Sequence, residues 1–536
     1  MKRRSFFKAA AIGGSLVAIS PLTACNPKNE EHSHHTFREF DWNEITILEL
    51  QQKMGSGEIT ALEIVRKYLK RIADVDPILK SVIELNPDAE TIAAQLDDER
   101  KAGKIRGPLH GIPVMIKDNI DTGDQMMTTA GSMALNGFKA ESDAFIVTRL
   151  REAGAVLLGK TNLSEWANIR STNSSSGWSG RGGQVRNPYV LDRTPCGSSS
   201  GTGAAVAANM CAIGIGTETD GSIVCPSGTN GIVGIKPTLG SWSRQGIIPI
   251  SHSQDTAGPM ARTVADAAIL LGALSAPHQA DEATLNPQRL NITDYTPFLK
   301  VEGLKGKRIG IARQFFGFNA KVDEQLNKSL EIIKNSGAEL IDNIEFEGRG
   351  EWGNAEWEVL QYELKHDLNK YLDEHPNAPV RSLEEIIQYN IDHAEVEMPW
   401  FGQEIFLEAQ KKGDLTEETY LNALKTSKEL TQNAINHSMD EHNLDAIIAP
   451  TNGPAWNIDW VNGDHYGGGS SDLAAISGYP NITVPAGYVH GIPVGLSFFG
   501  RAWSEQKLIE IAFAYEQASK FRETPKFIPS LAEMNG

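Results

Sequence analysis

The sequence predicts an α/β fold in which helices cover both faces of a large mixed β-sheet. Short apolar runs alternate with amphipathic segments from residue 46 to residue 275, and such alternation is typical of parallel or mixed sheets. A more charged and more helical segment, 276–440, interrupts the alternation, and apolar runs return over 445–501. A pattern that stops and resumes indicates one domain with a helical insertion at about 276–440.

Two helices are predicted to begin the folded part, and a strand follows them. TILE (46–49) and TALE (60–63) have capping-box spacing, in which a threonine and a glutamate three residues later bond the start of a helix. IPVMI (112–116) is an apolar run of strand length, which predicts a buried strand. Lys117 lies at the end of that strand.

Strands and helices continue to alternate along the chain. The segment 143–154 predicts a helix capped by Asp143. The later predicted elements are strands at 155–159, 211–216, 232–236, 445–451, 481–488 and 493–501, and helices at 204–210 and, from a Thr263 cap, at 263–274. These elements account for the sheet and its covering helices.

The first 25 residues predict an export signal. MKRRSFFK (1–8) is basic and contains paired arginines, and AAAIGGSLVAIS (9–20) is apolar but too short to span a bilayer. LTAC (22–25) follows. This order resembles a bacterial lipoprotein signal, and its arginines resemble a twin-arginine signal. The resemblance implies lipidation at Cys25 and an exported protein, anchored on the periplasmic or outer side of a bacterial membrane.

The predicted organisation therefore has four parts. A signal (1–25) and a polar tether (26–40) precede a single domain (41–525), and a C-terminal tail (526–536) follows it. The formal net charge is −18, which argues against a nucleic-acid partner because phosphate binding needs excess basic residues.

Cysteine spacing predicts neither disulfides nor zinc. Apart from Cys25, the chain contains Cys196, Cys211 and Cys225, and none of them forms a C-x-x-C pair. Three buried thiols are the expectation. No metal and no cofactor are predicted.

A Gly/Ser-rich segment, 194–226, could carry chemistry in three ways. Gly197–Gly201 matches the G-x-S-x-G nucleophile elbow with Ser199 at its centre, but the elbow needs a preceding strand, and Pro188 and Pro195 break that stretch. A phosphate-binding loop would end in G-K-[ST], which is absent from the segment. The third way is a serine activated by a neutral lysine.

Lys117 is the candidate for that lysine. Burial disfavours the ammonium form and can lower a lysine pKa by several units from about 10.4. The end of a buried strand suits such a role. Considered alone, however, a lysine at the end of a strand is mostly solvated, and that is the stronger expectation for Lys117.

Four longer motifs cover the core: GIPVMIKDNID (111–121), CGSSSGTGAAVAAN (196–209), GTETDGSIVCPSGTNGIVGIKPT (216–238) and SQDTAGPMARTVADA (253–267). Together they resemble the amidase signature family, and the resemblance extends over 42–525. Within this family, the motifs GTETDGSI and SSSGWSGRGGQ resemble the bacterial peptide-amidase-like branch most. The resemblance implies the amidase-signature fold and a Ser–cis-Ser–Lys triad.

The family motifs assign roles to individual residues. Ser222 of DGSI corresponds to the nucleophile, Ser198 of CGSSSG to the bridging serine after a cis peptide from Gly197, and Lys117 of IKDN to the base. The oxyanion hole is expected from four backbone N–H groups, those of Thr219, Asp220, Gly221 and Ser222.

The loop around Ser222 differs from the wider family pattern at two positions. Asp220 and Val224 stand where the wider family has glycine and arginine, changes that the peptide-amidase-like branch shares and that concern recognition of substrate charge. Glu218 and Asp220 are expected to hold the loop by hydrogen bonds. Ser171 and Ser174–Ser176 are expected to form a wall of the site or a turn.

The resemblance implies hydrolysis of small carboxamides or C-terminal peptide amides. Two alternatives remain: a glutaminase subunit of a tRNA-dependent amidotransferase, and a non-catalytic, lipid-anchored solute-binding protein. In the insertion, aromatic residues either shape the substrate pocket or belong to the core; they are Trp352, Trp357, Tyr362 and Trp400.

Overall fold

Residues 40–342 and 344–535 are described by the computed structural model. The predicted signal, with Cys25, and nearly all of the predicted tether lie outside these residues. Within the described ranges, no helix combines the length and the apolar composition that crossing a membrane requires.

Thirteen strands are present in the described part of the chain. They are Val82–Leu85 (β1), Pro113–Lys117 (β2), Val156–Thr161 (β3), Trp178–Ser179 (β4), Gly183–Gln184 (β5), Ile213–Glu218 (β6), Val233–Lys236 (β7), Thr256–Ala261 (β8), Arg308–Ile311 (β9), Glu339–Ile341 (β10), Ala446–Pro450 (β11), Asn481–Val489 (β12) and Ile492–Phe499 (β13).

Eleven of these strands form one mixed sheet, as the sequence predicts. Their order across it is β1-β3-β2-β6-β8-β7-β12-β13-β11-β9-β10, while β4 and β5 pair separately. β2 runs parallel to both β3 and β6, and β6 runs antiparallel to β8. The interior strands are buried over almost their whole length, so their apolar runs are continuous and not alternating.

Helices cover both faces of the sheet. They are Ile47–Ser56 (α1), Ala61–Leu79 (α2), Ala89–Lys101 (α3), Phe145–Glu152 (α4), Ser200–Ala207 (α5), Val224–Thr229 (α6), Val264–Leu274 (α7), Ala320–Asn335 (α8), Arg349–Glu374 (α9), Leu383–Asp392 (α10), Ala394–Glu397 (α11), Glu404–Gln410 (α12), Glu418–Glu441 (α13), Ser471–Ser477 (α14) and Glu505–Ser519 (α15).

Local capping signals fix several helix starts. Both predicted capping boxes are present, at Thr46 before α1 and at Thr60 before α2, and Thr263 caps α7. Asp143 is not the cap of α4, which begins after Ala144. Its carboxylate instead accepts a hydrogen bond of 2.8 Å from the Gly123 N–H, so a tertiary contact takes the side chain that the sequence pattern assigned to the cap.

The segment 276–440 is not helical throughout. It contributes β9 and β10, which continue the sheet beyond β11. These strands have four and three residues, too short for their apolar pattern to stand out among the surrounding charges.

The C-terminal segment is fastened to the domain. The N–H of Phe527 donates to the Pro188 carbonyl at 2.9 Å, and that of Ile528 donates to the Tyr189 carbonyl at 3.1 Å. Leu191 donates in return to the Ile528 carbonyl at 2.8 Å. The beginning of the predicted tail therefore holds the segment that leads to Cys196.

Candidate active site

Lys117 lies at the carboxyl end of β2 with no solvent exposure. Its Nζ contacts the Ser198 Oγ at 2.7 Å, the Thr217 Oγ1 at 2.8 Å and the Thr217 carbonyl at 3.3 Å. In the parallel pairing of β2 with β6, Ile116 lies opposite Ile215, which places Lys117 near the end of β6 that holds Thr217. The carboxyl edge of parallel strands is where open α/β sheets bind ligands.

The environment of Lys117 favours its neutral form. Burial lowers its pKa from 10.5 to about 7, although the nearby carboxylates of Asp255 and Glu218 act in the opposite direction. A pKa near neutrality makes an uncharged amine accessible at this position at pH 7. A neutral amine that contacts a hydroxyl can accept its proton.

Ser198 is held by its backbone as well as by Lys117. The peptide bond from Gly197 to Ser198 is cis, as predicted. The Ser198 carbonyl accepts a hydrogen bond of 3.1 Å from the Ser164 N–H. A Cβ at position 197 would lie 2.2 Å from the Ser164 Oγ, so a larger residue there would displace the Ser164 side chain.

Ser222 lies on the loop between β6 and α6, and 8% of its surface is exposed. Its carbonyl accepts a hydrogen bond of 3.2 Å from the Ser199 N–H, which joins the two serine-containing segments. The Ser199 hydroxyl is fully buried and donates to the Thr217 carbonyl at 3.1 Å. Ser199 is therefore a structural residue, in agreement with the rejection of the nucleophile elbow.

The loop that carries Ser222 is fixed by a carboxylate. Glu218 Oε2 accepts hydrogen bonds from the N–H groups of Ile223 at 2.7 Å and Val224 at 3.0 Å. This is the structural role predicted for Glu218. Gly221 has a φ of 74°, a left-handed conformation that glycine adopts without strain.

Asp220 lies in the same loop. Burial, together with the nearby Asp472 carboxylate, raises the pKa of its carboxyl to about 7. Its Oδ1 is buried without a hydrogen-bond partner. The predicted loop-holding role is thus carried by Glu218 and not by this oxygen.

Asp255 supports the site and was not singled out from the sequence. Its Oδ1 accepts a hydrogen bond of 2.6 Å from the Thr219 hydroxyl, and its Oδ2 accepts from the N–H groups of Ile250 and Ser251 at 2.8 and 2.9 Å. The motif SQDTAGP contains this residue. Asp255 therefore ties the Ser222 loop to the segment 250–251.

Cys196 and Cys225 form a disulfide, which corrects the prediction of three free thiols. They are 29 positions apart, with Cα atoms 6.0 Å from one another, a separation that no local motif signals. The bond links the residue before Gly197 to α6, which follows Ser222. Cys211 is a buried free thiol, as predicted.

A cavity of about 230 Å³ opens onto Ser198. Helix α9 contributes Asp367 and Tyr371 to its wall, so the predicted insertion does shape a pocket. The four predicted aromatic residues are not the ones that line it. Trp352 is buried in a core cluster, whereas Trp357 and Trp400 are about 40% exposed.

The predicted serine cluster at 171–176 forms a turn. The Ser174 N–H donates to the Ser171 carbonyl at 3.2 Å. The Ser176 N–H donates to the Asp464 carboxylate at 3.1 Å. None of these serines lines the cavity at Ser198.

Comparison with known proteins identifies the family. A family model described as Amidase matches residues 63–509. The chain belongs to the amidase family. It is an amidase-signature enzyme, and it has the α/β fold of that family.

The relatives cover nearly the whole domain. Proteins named as amidases from Arabidopsis thaliana and Schizosaccharomyces pombe are 43% and 40% identical, each over 91% of this chain and over 93% and 87% of their own lengths. The peptide amidase of Stenotrophomonas maltophilia is 48% identical, with a TM-score of 0.86 over 91% of this chain and 99% of that one. Bacterial proteins named as subunits of glutamyl-tRNA(Gln) amidotransferase match at up to 33%.

The predicted localisation is wrong. An exported lipoprotein on a bacterial membrane does not describe a chain whose relatives at 43% and 40% identity are eukaryotic proteins named as amidases. The residues on which that prediction rested, 1–25, lie outside the described part of the chain.

Proposed function

We propose that this amidase hydrolyses C-terminal amides of short peptides and similar small carboxamides. In this proposal Ser222 is the nucleophile, Ser198 transfers the proton, and Lys117 is the base. The contact of 2.7 Å between the Lys117 Nζ and the Ser198 Oγ, in full burial, carries the proposal.

The first half of the reaction forms an acyl-enzyme. The Ser222 hydroxyl passes its proton to Ser198 Oγ while Ser198 passes its own proton to the neutral Lys117 amine. Ser222 Oγ then bonds to the amide carbon and the carbonyl oxygen becomes an oxyanion. Backbone N–H groups stabilise this charge, each worth roughly 10²–10³ in rate; they belong to Thr219, Asp220, Gly221 and Ser222.

The second half releases the products. The Lys117 ammonium returns its proton through Ser198 to the amide nitrogen, the C–N bond breaks, and ammonia leaves. Water, deprotonated along the same path, attacks the Ser222 ester. The proton then returns to the Ser222 oxygen as the carboxylic acid leaves, so that the three residues regain their starting states.

One observation supports a peptide amide as the substrate, and two oppose the glutaminase alternative. The chain is 48% identical to a protein described as a peptide amidase, over 99% of that chain. The glutaminase alternative has lower identity, at most 33%, and a net charge of −18 opposes work beside tRNA. A solute-binding role leaves the neutral lysine without a function.

Ammonia release tests the proposal. Purified protein is assayed with amidated dipeptides and with simple carboxamides, and the absence of ammonia from every substrate would refute the function. Ser222→Ala and Lys117→Met are expected to lower kcat by at least about 10³. Lys160→Met is the matched control, because Lys160 is equally buried but donates to the Ile120 carbonyl instead of a catalytic hydroxyl.

The trapped acyl-enzyme tests the assignment of the nucleophile. Mass spectrometry of protein quenched during turnover should locate the acyl group on Ser222. An acyl group on Ser198 or Ser199, or a Ser222→Ala variant that keeps its activity, would show that the nucleophile is a different residue.

A further inference from the structure

The cavity at Ser198 has walls of two chemical kinds. Polar groups of the site face it, among them Ser198, Thr217 and Thr219. An apolar wall lies against them, formed by the run 247–250 (Ile-Ile-Pro-Ile) and by Ala167.

The buried ionic groups in the wall already have partners. The Arg244 Nε donates to Asp281 Oδ2 at 2.9 Å. The His252 Nδ1 lies 2.9 Å from Asp367 Oδ2. Asp255 accepts the three hydrogen bonds described above. A charged substrate group placed against these buried groups would lose its water without gaining a partner, which is costly.

Two further charges lie at the cavity on helix α9. Lys370 and Glu374 are both exposed to solvent, and they have opposite signs. They therefore add no net charge to the wall.

The apolar wall is held in place by its backbone. The Ile248 N–H donates to the Asn119 carbonyl at 2.9 Å, and the Ile250 N–H donates to Asp255 Oδ2 at 2.8 Å. Both isoleucines pack into the same core cluster. A wall fixed on two sides presents a preformed surface, as small-molecule sites generally do.

We propose that this cavity binds the neutral, apolar side chain of the residue that carries the scissile carboxamide. The inference rests on the proposed function. The leaving group is ammonia, which is about the size of water, and water occupies only about 30 Å³. The acyl part of the substrate must therefore occupy a cavity of about 230 Å³, and the paired charges and isoleucine wall select an apolar side chain.

A series of N-acetyl amino-acid amides tests this selection. We expect kcat/KM for the phenylalanine and leucine amides to exceed that for the glycine amide at least about tenfold, the scale on which apolar pockets discriminate. The lysine and aspartate amides should not exceed the glycine amide. Charged amides hydrolysed as fast as the apolar ones would overturn the inference.

Substitutions at Ile248 test the wall directly. Ile248→Phe fills the cavity and should lower kcat/KM for the phenylalanine amide about tenfold more than for the glycine amide. Ile248→Ala only removes atoms, and should raise the ratio of tryptophan amide to leucine amide severalfold. Ile105→Phe, at an exposed isoleucine outside the cavity, is the matched control and should leave both ratios unchanged.

The outcomes separate this inference from the proposed function. If the wild type releases ammonia from no amide, the proposed function has failed. If it releases ammonia with equal efficiency from glycine, leucine and phenylalanine amides, only the cavity assignment has failed. Thermal unfolding monitors each variant, and should Ile248→Phe not fold, the tryptophan-to-leucine ratio of Ile248→Ala decides the question.

Discussion

Replacing Lys117 by methionine should remove activity and at the same time stabilise the fold. A lysine whose pKa falls from 10.5 to about 7 on folding costs the folded state about 4 kcal/mol at pH 7. Methionine has a similar length and no charge to desolvate. It gives up the contacts with the hydroxyls of Ser198 and Thr217, worth about 1 kcal/mol each. The expected net gain is about 2 kcal/mol at pH 7.

The pH dependence of this gain has a defined sign. Between pH 7 and 10.5 the unfolded wild type binds a proton at Lys117 that the folded protein has released. Wild-type stability therefore rises with pH through this window. The advantage of Lys117→Met should be greatest below pH 7 and should vanish near pH 9. Above pH 10.5 the variant should be less stable than the wild type by about 2 kcal/mol, the worth of its lost contacts.

Urea unfolding and steady-state kinetics measure the two effects. Unfolding free energies at pH 6, 8 and 10 give the stability difference, with Lys101→Met at an exposed lysine as the control, expected to change stability by less than about 0.5 kcal/mol. Wild-type kcat/KM should fall about tenfold per pH unit below 7 as Lys117 gains its proton. A stability difference that is the same at all three pH values, or a flat rate profile between pH 5 and 7, would refute the reasoning.

Three further changes have defined outcomes. Gly197→Ala places a Cβ 2.2 Å from a hydroxyl oxygen and should abolish ammonia release, whereas Gly353→Ala, with no atom within 4 Å of the new Cβ, should keep activity and gain up to about 1 kcal/mol in thermal unfolding. Replacing Cys196 and Cys225 by serine opens a loop of 29 residues and should cost about 3–4 kcal/mol in urea; equal stability with and without reductant would contradict this. Glu218→Ala leaves two buried N–H groups unpaired and should lower kcat more than it raises KM, whereas a change in KM alone would exclude a role in fixing the loop.

Much of the fold could be predicted because its signals are local. Capping boxes depend on residues three positions apart, and both are present where the sequence indicates them. The run 112–116 is apolar because β2 lies between two other strands and is buried throughout. The same burial explains why Lys117, at the end of that strand, has an altered pKa.

The features that the sequence did not reveal depend on contacts between distant positions. Thr217 accepts from Lys117 across 100 positions, and Asp255 binds Thr219 across 36 positions. Cys196 meets Cys225 only because the segments on either side of α5 and β6 return to one place. Periodicity and spacing rules describe neighbouring residues. They cannot predict these contacts, which depend on the order of the strands in the sheet.

The contacts between 188–191 and 527–528 have a consequence for the order in which a nascent chain matures. The ribosome has delivered every strand of the main sheet by residue 499, yet the stretch leading to Cys196 still lacks its partner. That partner is the segment 527–528, which is synthesised after all of these strands. A polypeptide released shortly after residue 499 would therefore contain every strand of the main sheet, but it would lack both α15, which packs on β12, and the segment that pairs with 188–191.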